Sequence, residues 1–234
     1  MQNLNPAIDS DILVYRCGHA AKDDEPLEYV LATVKRAVEG ILENFPGRKE
    51  QRLYLTGKGN FRDTLATIQT YKGNRSPDSK PKYYKEIRDY LVDVWNAEVI
   101  EGQEADDAMG IYQWSHKDKS TCIVSIDKDL RMIPGYHYNF VKGVIDYVDL
   151  PQANYNFFRQ TLTGDRSDNI PGISGVGEKR SEKLLAPANN NVVDMKRICM
   201  EQYKKEFGEY AESCWKEISN LLWIRREENQ ECPF

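Results

Sequence analysis

The sequence predicts an α/β fold in which a mostly parallel sheet carries helices on its faces. Short apolar runs alternate with segments of helix-spaced apolar side chains from residue 6 to about residue 141. Because parallel strands need a crossover connection, this alternation is typical of a parallel sheet. After residue 150 the pattern changes to helix, loop and helix. We therefore expect a core at 1–150 and a helical unit at 151–234, packed together as one unit.

The N-terminal part contains two predicted strands and one predicted helix. The first strand ends near Asp9, where an acid follows the apolar run. Residues 26–45 space apolar side chains at helical intervals and stop at Pro46. The string RLYLT at 52–56 predicts a second strand, which Gly57 closes.

The middle of the chain begins with a polar segment at 71–82, which lacks apolar periodicity and is expected to be a loop. The elements predicted after it are a helix at 83–95, a strand at 97–100, a helix at 104–115, and strands at 121–127 and 137–141. Asp9 and Asp127 then fall at the carboxyl ends of strands, where α/β proteins place their sites.

The C-terminal part is predicted to be mainly helical. Residues 154–185 have the pattern helix, loop rich in Gly and Pro, helix, and residues 186–234 continue as helices with a short tail. The apolar run LLWIRR at 221–226 is predicted to return to the core as a helix or a strand.

Length and composition exclude several classes of protein. The chain has 234 residues, of which 40% are hydrophobic and 29% charged, as is typical of globular proteins. No apolar run approaches the roughly 20 residues of a membrane helix, and the polar N-terminus is unlike a secretory signal. Five scattered cysteines without a CxxC pair favour neither a disulfide framework nor a zinc site. We expect a monomer in a reducing cytoplasm, with no membrane partner.

Four groups of acidic residues lie at predicted element ends or in loops beside them. Their members are Asp9, Glu104, Asp106, Asp107, Asp127, Asp129, Asp165 and Asp168. Taken singly, each group also fits a helix cap or a solvated surface. If all eight converge, their repulsion requires bound cations. Oxygen ligands without Cys or His indicate Mg²⁺ or Mn²⁺, and two such ions suit the displacement of a phosphodiester.

The charge of the chain is unevenly distributed. The formal net charge is −5, but without those eight acids the remainder would carry +3. Residues 71–88 hold six cations against two acids, with tyrosines between them. Cations pair with phosphates and aromatic rings stack on bases, so the segment is typical of single-strand binding. A solvated loop and helix face is the alternative, and a loop that orders only on DNA is another. The predicted contacts are Tyr71, Lys80 and Lys82.

Glycines cluster before a predicted helix in the string PGISGVGEKRSEKLL at 171–185. Glycine lets a backbone turn tightly and approach a phosphate, and the N–H groups at a helix start receive the anion. The pattern favours a sequence-independent contact to a duplex backbone over an ordinary helix connection. A GxxxxGK[ST] phosphate loop is absent. The predicted contacts are Gly172, Gly175, Gly177, Lys179 and Arg180.

In their order, these motifs resemble the 5′-nuclease (flap endonuclease) family, especially bacteriophage exonucleases and the N-terminal domain of bacterial DNA polymerase I. The matching strings are IDSDILVYR (8–16), NFR…YKGNR (60–75), EADDAMG (104–110), SIDKDL (125–130) and LTGDRSDNIPGISGVGEKR (162–180). The last string is strongly specific, whereas SIDKDL alone is weak. The resemblance implies a PIN-like 5′-nuclease fold with a helical arch, here at 71–96, and a helix–three-turn–helix DNA clamp.

The resemblance also implies roles for individual residues. It implies that the eight acids bind two Mg²⁺ ions directly or through water, with Mn²⁺ as a substitute. Lys72 and Arg75 match basic arch residues that meet the scissile phosphate, and Arg16 matches a basic position beside the first Asp, so these three are the predicted catalytic cations. Backbone carbonyls at 171–177 are expected to hold K⁺.

One position departs from the family pattern. The family usually has an Asp after the second strand, before the FR pair, where this chain has LTGKGNFR. Thr56 or Gly57 takes that place, and Asp63, beyond Arg62, is a poor substitute. A weaker or more hydrated first metal site is therefore expected.

The function predicted from these motifs is that of a Mg²⁺-dependent 5′–3′ exonuclease and flap endonuclease. Its expected substrates are DNA 5′ ends, flaps and RNA–DNA primer junctions, beside a replication polymerase, in the host cytoplasm if a phage encodes it. One alternative is a catalytically silent DNA-binding protein, against which the near-complete acid set argues. The other is a PIN-like ribonuclease, which normally lacks the GISGVGEKR hairpin.

Overall fold

The computed structural model describes residues 1, 3–76 and 79–234, and within them six strands form one sheet. The strands are β1 (Asn5–Asp9), β2 (Arg52–Thr56), β3 (Glu98–Ile100), β4 (Thr121–Val124), β5 (Gly135–Asn139) and β6 (Val144–Val148). Their order across the sheet is β3-β2-β1-β4-β5-β6. All neighbours pair in parallel except β5 and β6, which are antiparallel. The predicted mostly parallel sheet is confirmed.

Helices cover both faces of the sheet and form a separate unit after β6. They are α1 (Ser10–Ala20), α2 (Leu27–Glu43), α3 (Phe61–Leu65), α4 (Tyr84–Trp95), α5 (Ala105–Ser115), α6 (Leu150–Thr163), α7 (Glu178–Leu185), α8 (Val192–Phe207) and α9 (Ala211–Leu222). Helices α1, α2 and α4 share one buried apolar cluster with the sheet, and α5 packs in a second cluster. In the described part of the chain, no helix is long and apolar enough to cross a membrane.

Helices α6 to α9 surround an aromatic core of their own. Phe157 and Phe158 of α6 contact Trp215 of α9, Trp223 and Phe234 with ring centroids 5.0–6.1 Å apart. Burying such large rings supplies most of the stability available to a small helical unit. This packing holds the loop between α6 and α7 at the carboxyl edge of the sheet, beside the ends of β1 and β4.

Several elements differ from their predicted bounds for local reasons. Strand β4 ends at Val124, three residues early, because the N–H of Asp127 turns back to donate to Ser125 Oγ at 2.9 Å. Strand β6 was not predicted, since it lies at the sheet edge with four of its five residues exposed. The run at 221–226 is neither helix nor strand beyond Leu222, where α9 ends.

Of the predicted arch at 71–96, the described residues 71–76 form turns, and α4 forms an α-helix. Residues 77 and 78 of the predicted loop lie outside the described residues. Residues 70–72 lie against the loop between α6 and α7. The Lys72 N–H donates to the Asp168 carbonyl at 2.9 Å, and the Asn169 side-chain amide donates to the Thr70 carbonyl at 2.9 Å.

Candidate active site

A cavity of about 710 Å³ opens at the carboxyl edge of the parallel strands. Four of the predicted acids line it: Asp9 at the end of β1, Glu104 and Asp106 at the start of α5, and Asp127 after β4. The convergence follows from topology, because β1 and β4 are neighbours in the sheet. The predicted cations Arg16, Lys72 and Arg75 line the same cavity.

Three of the acids in the cavity have raised pKa values. Burial, followed by the charges of Asp11 and, more weakly, Asp127, raises the pKa of Asp9 to about 7. Burial and the charge of Asp9 raise the pKa of Asp106 well above its ordinary value. Burial also raises the pKa of Asp127, against the hydrogen bond from the Asp129 N–H. Such crowding of carboxylates favours a bound cation.

Three further predicted acids, Asp129, Asp165 and Asp168, form a second group at the loop between α6 and α7. Burial, the charge of Asp127 and a hydrogen bond with Asp165 raise the pKa of Asp129 to about 8. Asp165 accepts hydrogen bonds at 2.7 Å from both the N–H and the hydroxyl of Ser167. Asp168 lies between this group and the cavity, where it meets the side chains of residues 71–75.

Basic side chains neutralise part of the negative charge of these acids, and a tyrosine hydroxyl forms hydrogen bonds with two of them. Lys72 Nζ contacts a carboxylate oxygen of Glu104 and lies 3.7 Å from Asp168, and Arg75 donates to Asp168 at 2.5 Å. The Tyr71 hydroxyl lies 3.0 Å from Glu104 and 2.8 Å from Asp168. Two of the three predicted catalytic cations, Lys72 and Arg75, thus pair with predicted metal ligands in this structure.

Two of the predicted DNA contacts are buried or bonded to the protein in this structure. Tyr71 is only 6% exposed, so its ring is not available to stack on a base. The Lys82 ammonium donates to the backbone carbonyls of Lys22, Asp23 and Glu25, which fixes it to the loop after α1. The third, Lys80, remains exposed.

Asp107 was predicted to bind metal, and in this structure both of its carboxylate oxygens accept bonds from Arg62. Arg62 donates to the two oxygens at 2.6 and 3.0 Å, and also to the carbonyls of Leu221 and Trp223. The Arg225 N–H adds a third bond to Asp107 at 3.0 Å. This buried pair joins α5 to the end of α9, beside Glu104 of the cavity. Sequence reasoning missed Arg62, since its FR string carries no sign of burial.

The departure after β2 has a structural explanation. A Cβ on Gly57 would lie 2.6 Å from the Ile100 carbonyl, so this position excludes a side chain. Thr56 faces the start of α5, where its hydroxyl accepts from the Ala105 N–H at 3.0 Å. An acid that does reach this strand end is Asp11, which sequence reasoning missed although it lies two residues after Asp9. It accepts from the Thr56 N–H at 2.8 Å.

The Gly-rich loop before α7 lines a separate hollow of about 1020 Å³. Gly172 is required there, because a Cβ would lie 2.3 Å from the Thr163 carbonyl carbon. Gly175 has a positive φ of 69° and its carbonyl accepts from Arg180 at 3.3 Å. Gly177 precedes the helix, with Lys179 exposed in its first turn. Lys128 also lines this hollow, a contact that sequence reasoning missed.

The donors in the cavity fit a hard divalent cation. All are carboxylates, and burial together with neighbouring carboxylates raises the pKa values of Asp9, Asp106 and Asp127, a cost that a bound cation would relieve. Among the described residues no three acidic, His or Cys side chains already form a ligand shell. Glu104 and Asp168 become available to a cation once Lys72 and Arg75 release them.

Comparison with known proteins shows that the sequence of this chain is similar to those of an exonuclease and a DNA polymerase. No protein-family profile matches the sequence. A 5′-3′ exonuclease of Buchnera aphidicola is 27% identical over 204 residues, which cover 78% of this chain and 70% of that protein. The thermostable DNA polymerase I of Thermus filiformis is 25% identical over 97% of this chain, which spans only 29% of the polymerase.

The fold has a solved counterpart. The bacteriophage T5 flap endonuclease, crystallised as a complex with DNA and metal ions, superposes with a TM-score of 0.56 and 16% identity. The match covers 95% of this chain and 99% of that one. Together with the relatives, this match confirms the predicted resemblance to the 5′-nucleases.

Proposed function

We propose that this chain, as a relative of the 5′-nucleases, hydrolyses DNA phosphodiester bonds at 5′ ends and at flaps. The observation that carries the proposal is the cavity in which four of the predicted acids and the three predicted cations meet at the carboxyl edge of the sheet. Anions and cations in one cavity suit a phosphodiester, whose charge must be both held and stabilised during displacement. The exonuclease and flap endonuclease names of its relatives support the same activity.

The hollow beside α7 is the proposed duplex contact. Gly172 and Gly175 let the backbone approach a phosphate, and the first turn of α7 presents its N–H groups with the exposed Lys179. Arg180, whose guanidinium lies on the Gly175 carbonyl, would gain a phosphate by turning outward. Because these contacts reach only the backbone, the grip is independent of base sequence. The backbone carbonyls at 171–177 are also the proposed K⁺ site.

The cavity is the proposed catalytic centre, with Lys72, Arg75 and Arg16 placed to stabilise charge on the phosphate. Lys72 and Arg75 must leave Glu104 and Asp168 to do so, and these acids then become free to ligate a cation. The proposed ligands of two Mg²⁺ ions, for which Mn²⁺ substitutes, are Asp9, Glu104, Asp106, Asp127, Asp129, Asp165 and Asp168. When bound, Mg²⁺ supplies Lewis-acid stabilisation of the phosphoryl oxygens.

The setting proposed for this activity is replication in the cytoplasm. A nuclease that recognises 5′ ends and flaps acts on the intermediates left beside a polymerase, including RNA–DNA primer junctions. The partners proposed are therefore DNA, a replication polymerase and primer RNA.

The test follows a 3′-labelled duplex carrying a 5′ flap, with and without Mg²⁺. Cation-dependent cutting at the flap junction is expected for wild type. Asp106→Ala and Asp127→Ala should abolish cutting and keep DNA binding, whereas Asp194→Ala, an exposed acid on α8, should behave as wild type. Near-normal cutting by both cavity variants would refute the assignment of the acids. Tight binding by wild type without cutting in Mg²⁺ or Mn²⁺ would instead identify a silent DNA-binding protein.

A further inference from the structure

Asp11 is an acid of the catalytic cavity that has no role in the function proposed above. It lines the cavity together with Asp9 and Asp106. It lies in the first turn of α1, where an acid commonly stabilises the helix N-terminus. In this helix, however, the N–H of Ile12 donates to Asp9, and the two carboxylate oxygens of Asp11 are bonded to partners outside α1. The placement of Asp11 therefore needs an explanation other than a helix cap.

Two donors fix the Asp11 carboxylate at the end of β2. One oxygen accepts from the Thr56 N–H and the other accepts from Arg88 of α4, each at 2.8 Å. Arg88 also donates to the Thr56 carbonyl at 2.7 Å, so one guanidinium holds both the carboxylate and the strand end. The side chains of Asp11 and Arg88 are only 23% and 16% exposed, and Asp11 lines the cavity whereas Arg88 does not. The carboxylate is therefore held in one position in the cavity wall.

The end of β2 has no acid of its own. Thr56 is the last residue of the strand, and a side chain on Gly57 would clash with the Ile100 carbonyl. Asp11 supplies a carboxylate at this place from the neighbouring helix. The Thr56 hydroxyl in turn accepts from the N–H of Ala105, which lies in the sequence between the two acids at the start of α5. Hydrogen bonds through Thr56 thus connect Asp11 to the acids of α5.

Asp11 keeps hydrogen-bonding capacity that Asp107 has used up. A carboxylate offers about four lone-pair sites. Among the described residues, Asp107 is buried and accepts four hydrogen bonds, two from Arg62 and two from backbone N–H groups. Asp11 accepts two hydrogen bonds from the same part of the chain, and it lines the cavity. The remaining lone pairs of Asp11 are therefore available to a ligand in the cavity.

We propose that Asp11 is a further acid of the cation site and that it contacts the bound cation through water. The inference rests on the nuclease function proposed above and adds one residue to its cation site. Contact through water is expected because the bonds to Thr56 and Arg88 hold the carboxylate in the wall of the cavity. Mg²⁺ gives up its water ligands reluctantly and usually keeps several of them in a protein site. Groups that orient such a site from outside the direct ligands typically change the metal affinity by about 10- to 100-fold.

The experiment measures Mn²⁺ binding by EPR in the absence of DNA. Asp11→Asn keeps the shape of the side chain and an oxygen for the Thr56 N–H, but it removes the negative charge. Its affinity for Mn²⁺ should fall about tenfold. Asp63→Asn is the matched control for charge alone, because Asp63 lines the same cavity but is exposed on α3. Its affinity should fall about twofold or less, as for a charge screened by solvent. If Asp11→Asn does not fold, Asp11→Ser carries the same prediction.

Arg88→Met separates this role from a purely structural one. Arg88→Met and Asp11→Asn break the same ion pair between α1 and α4, so a loss of packing alone would weaken Mn²⁺ binding in both variants. Under the proposal, Arg88→Met should bind Mn²⁺ at least as tightly as wild type, because the carboxylate keeps its bond to the Thr56 N–H and loses a competing cation. Lys85→Met is the matched control, since Lys85 forms an exposed pair with Asp89 on the same helix outside the cavity. It should bind Mn²⁺ as wild type does.

Two results would overturn the proposal. One is a folded Asp11→Asn variant that binds Mn²⁺ as tightly as wild type or as Asp63→Asn does. The other is an equal loss of affinity in Asp11→Asn and Arg88→Met, which would mean that the ion pair acts only by holding α4 in place.

The nuclease function is read out separately by the cutting of a 5′ flap. Asp11→Asn should need about tenfold more Mg²⁺ for half-maximal cutting and should approach the wild-type rate when Mg²⁺ is saturating. A wild type that binds Mn²⁺ but cuts no DNA would refute the nuclease function, and the Mn²⁺ affinities of the variants would still decide the role of Asp11. A wild type that binds no Mn²⁺ would refute both.

Discussion

Replacing Arg62 by methionine should destabilise the protein strongly. Arg62 is 2% exposed and Asp107 is 0% exposed, so neither charge is hydrated in the fold. Arg62 makes four hydrogen bonds at 2.6–3.0 Å, two of them to Asp107 and two to the carbonyls of Leu221 and Trp223. Methionine keeps similar bulk but leaves the Asp107 carboxylate buried without its cation.

The expected magnitude follows from burial. Breaking a buried ion pair from one side costs about 3–5 kcal/mol, whereas an exposed helical pair is worth about 0.3–0.5 kcal/mol. Lys85 and Asp89 provide the exposed comparison on α4, with side chains 81% and 54% exposed. Domains are stable by about 5–15 kcal/mol in total, so Arg62→Met should remove a large fraction of the stability.

Urea unfolding followed by circular dichroism measures the effect. With an m value of about 3 kcal/mol per M, the midpoint for Arg62→Met should fall by about 1–1.7 M, and that for Lys85→Met by about 0.2 M or less. The double variant Arg62→Met with Asp107→Leu should recover part of the loss, because it removes the unpaired charge. Equal midpoints for Arg62→Met and Lys85→Met would refute the reasoning. Weakened Mn²⁺ binding by Asp107→Asn at unchanged stability would restore Asp107 as a ligand.

Two further predictions concern pH and the cation site. Burial lowers the pKa of His137 to about 4. As pH falls, this histidine therefore becomes protonated near pH 6.5 in the unfolded chain but only near pH 4 in the folded chain. The free energy of unfolding should decline by about 3 kcal/mol between pH 6.5 and 4. His137→Gln, which keeps a donor for the Ile133 carbonyl, should flatten that part of the profile in urea titrations, and an unchanged slope would contradict the assignment. Lys72→Ala should bind Mn²⁺ about two- to fivefold more tightly by EPR in the absence of DNA, because Glu104 loses a competing cation worth up to about 1 kcal/mol. It should nevertheless cut DNA more slowly, and a loss of Mn²⁺ affinity would contradict the pairing seen here.

The sequence was sufficient to predict the sheet and most of its helices. Periodicity predicted β2 at its observed bounds and α2 to within two residues, because both bury a regular apolar face. It did not predict β6, whose mixed residues are mostly exposed and whose pairing depends on β5 alone. The order of the strands in the sheet could not be predicted from one sequence, because it depends on contacts between segments that are distant along the chain.

The sequence predicted which residue types form the candidate site, but it did not predict which of these residues pair with one another. Asp9, Asp106 and Asp127 share a cavity because they follow or precede elements that end at one edge, which strand prediction alone suggests. Spacing could not separate Asp106 from its neighbour Asp107, because the choice depends on Arg62, 45 residues away along the chain. Tyr71 looked like a surface aromatic among lysines, and only the tertiary packing buries it.

The bonds that join Arg62 and Asp107 to the stretch 221–226 also affect the order in which the chain can fold while it is being synthesised. The strands and acids of the core leave the ribosome first, but Arg62 and Asp107 wait for the carbonyls of Leu221 and Trp223 and the N–H of Arg225. At about 5–20 residues per second, roughly 6–23 s separate the translation of Asp107 from that of residue 223. During that interval α5, which carries Glu104 and Asp106, lacks its anchor. The emerging chain therefore completes its acidic cavity only after residue 225 has been made.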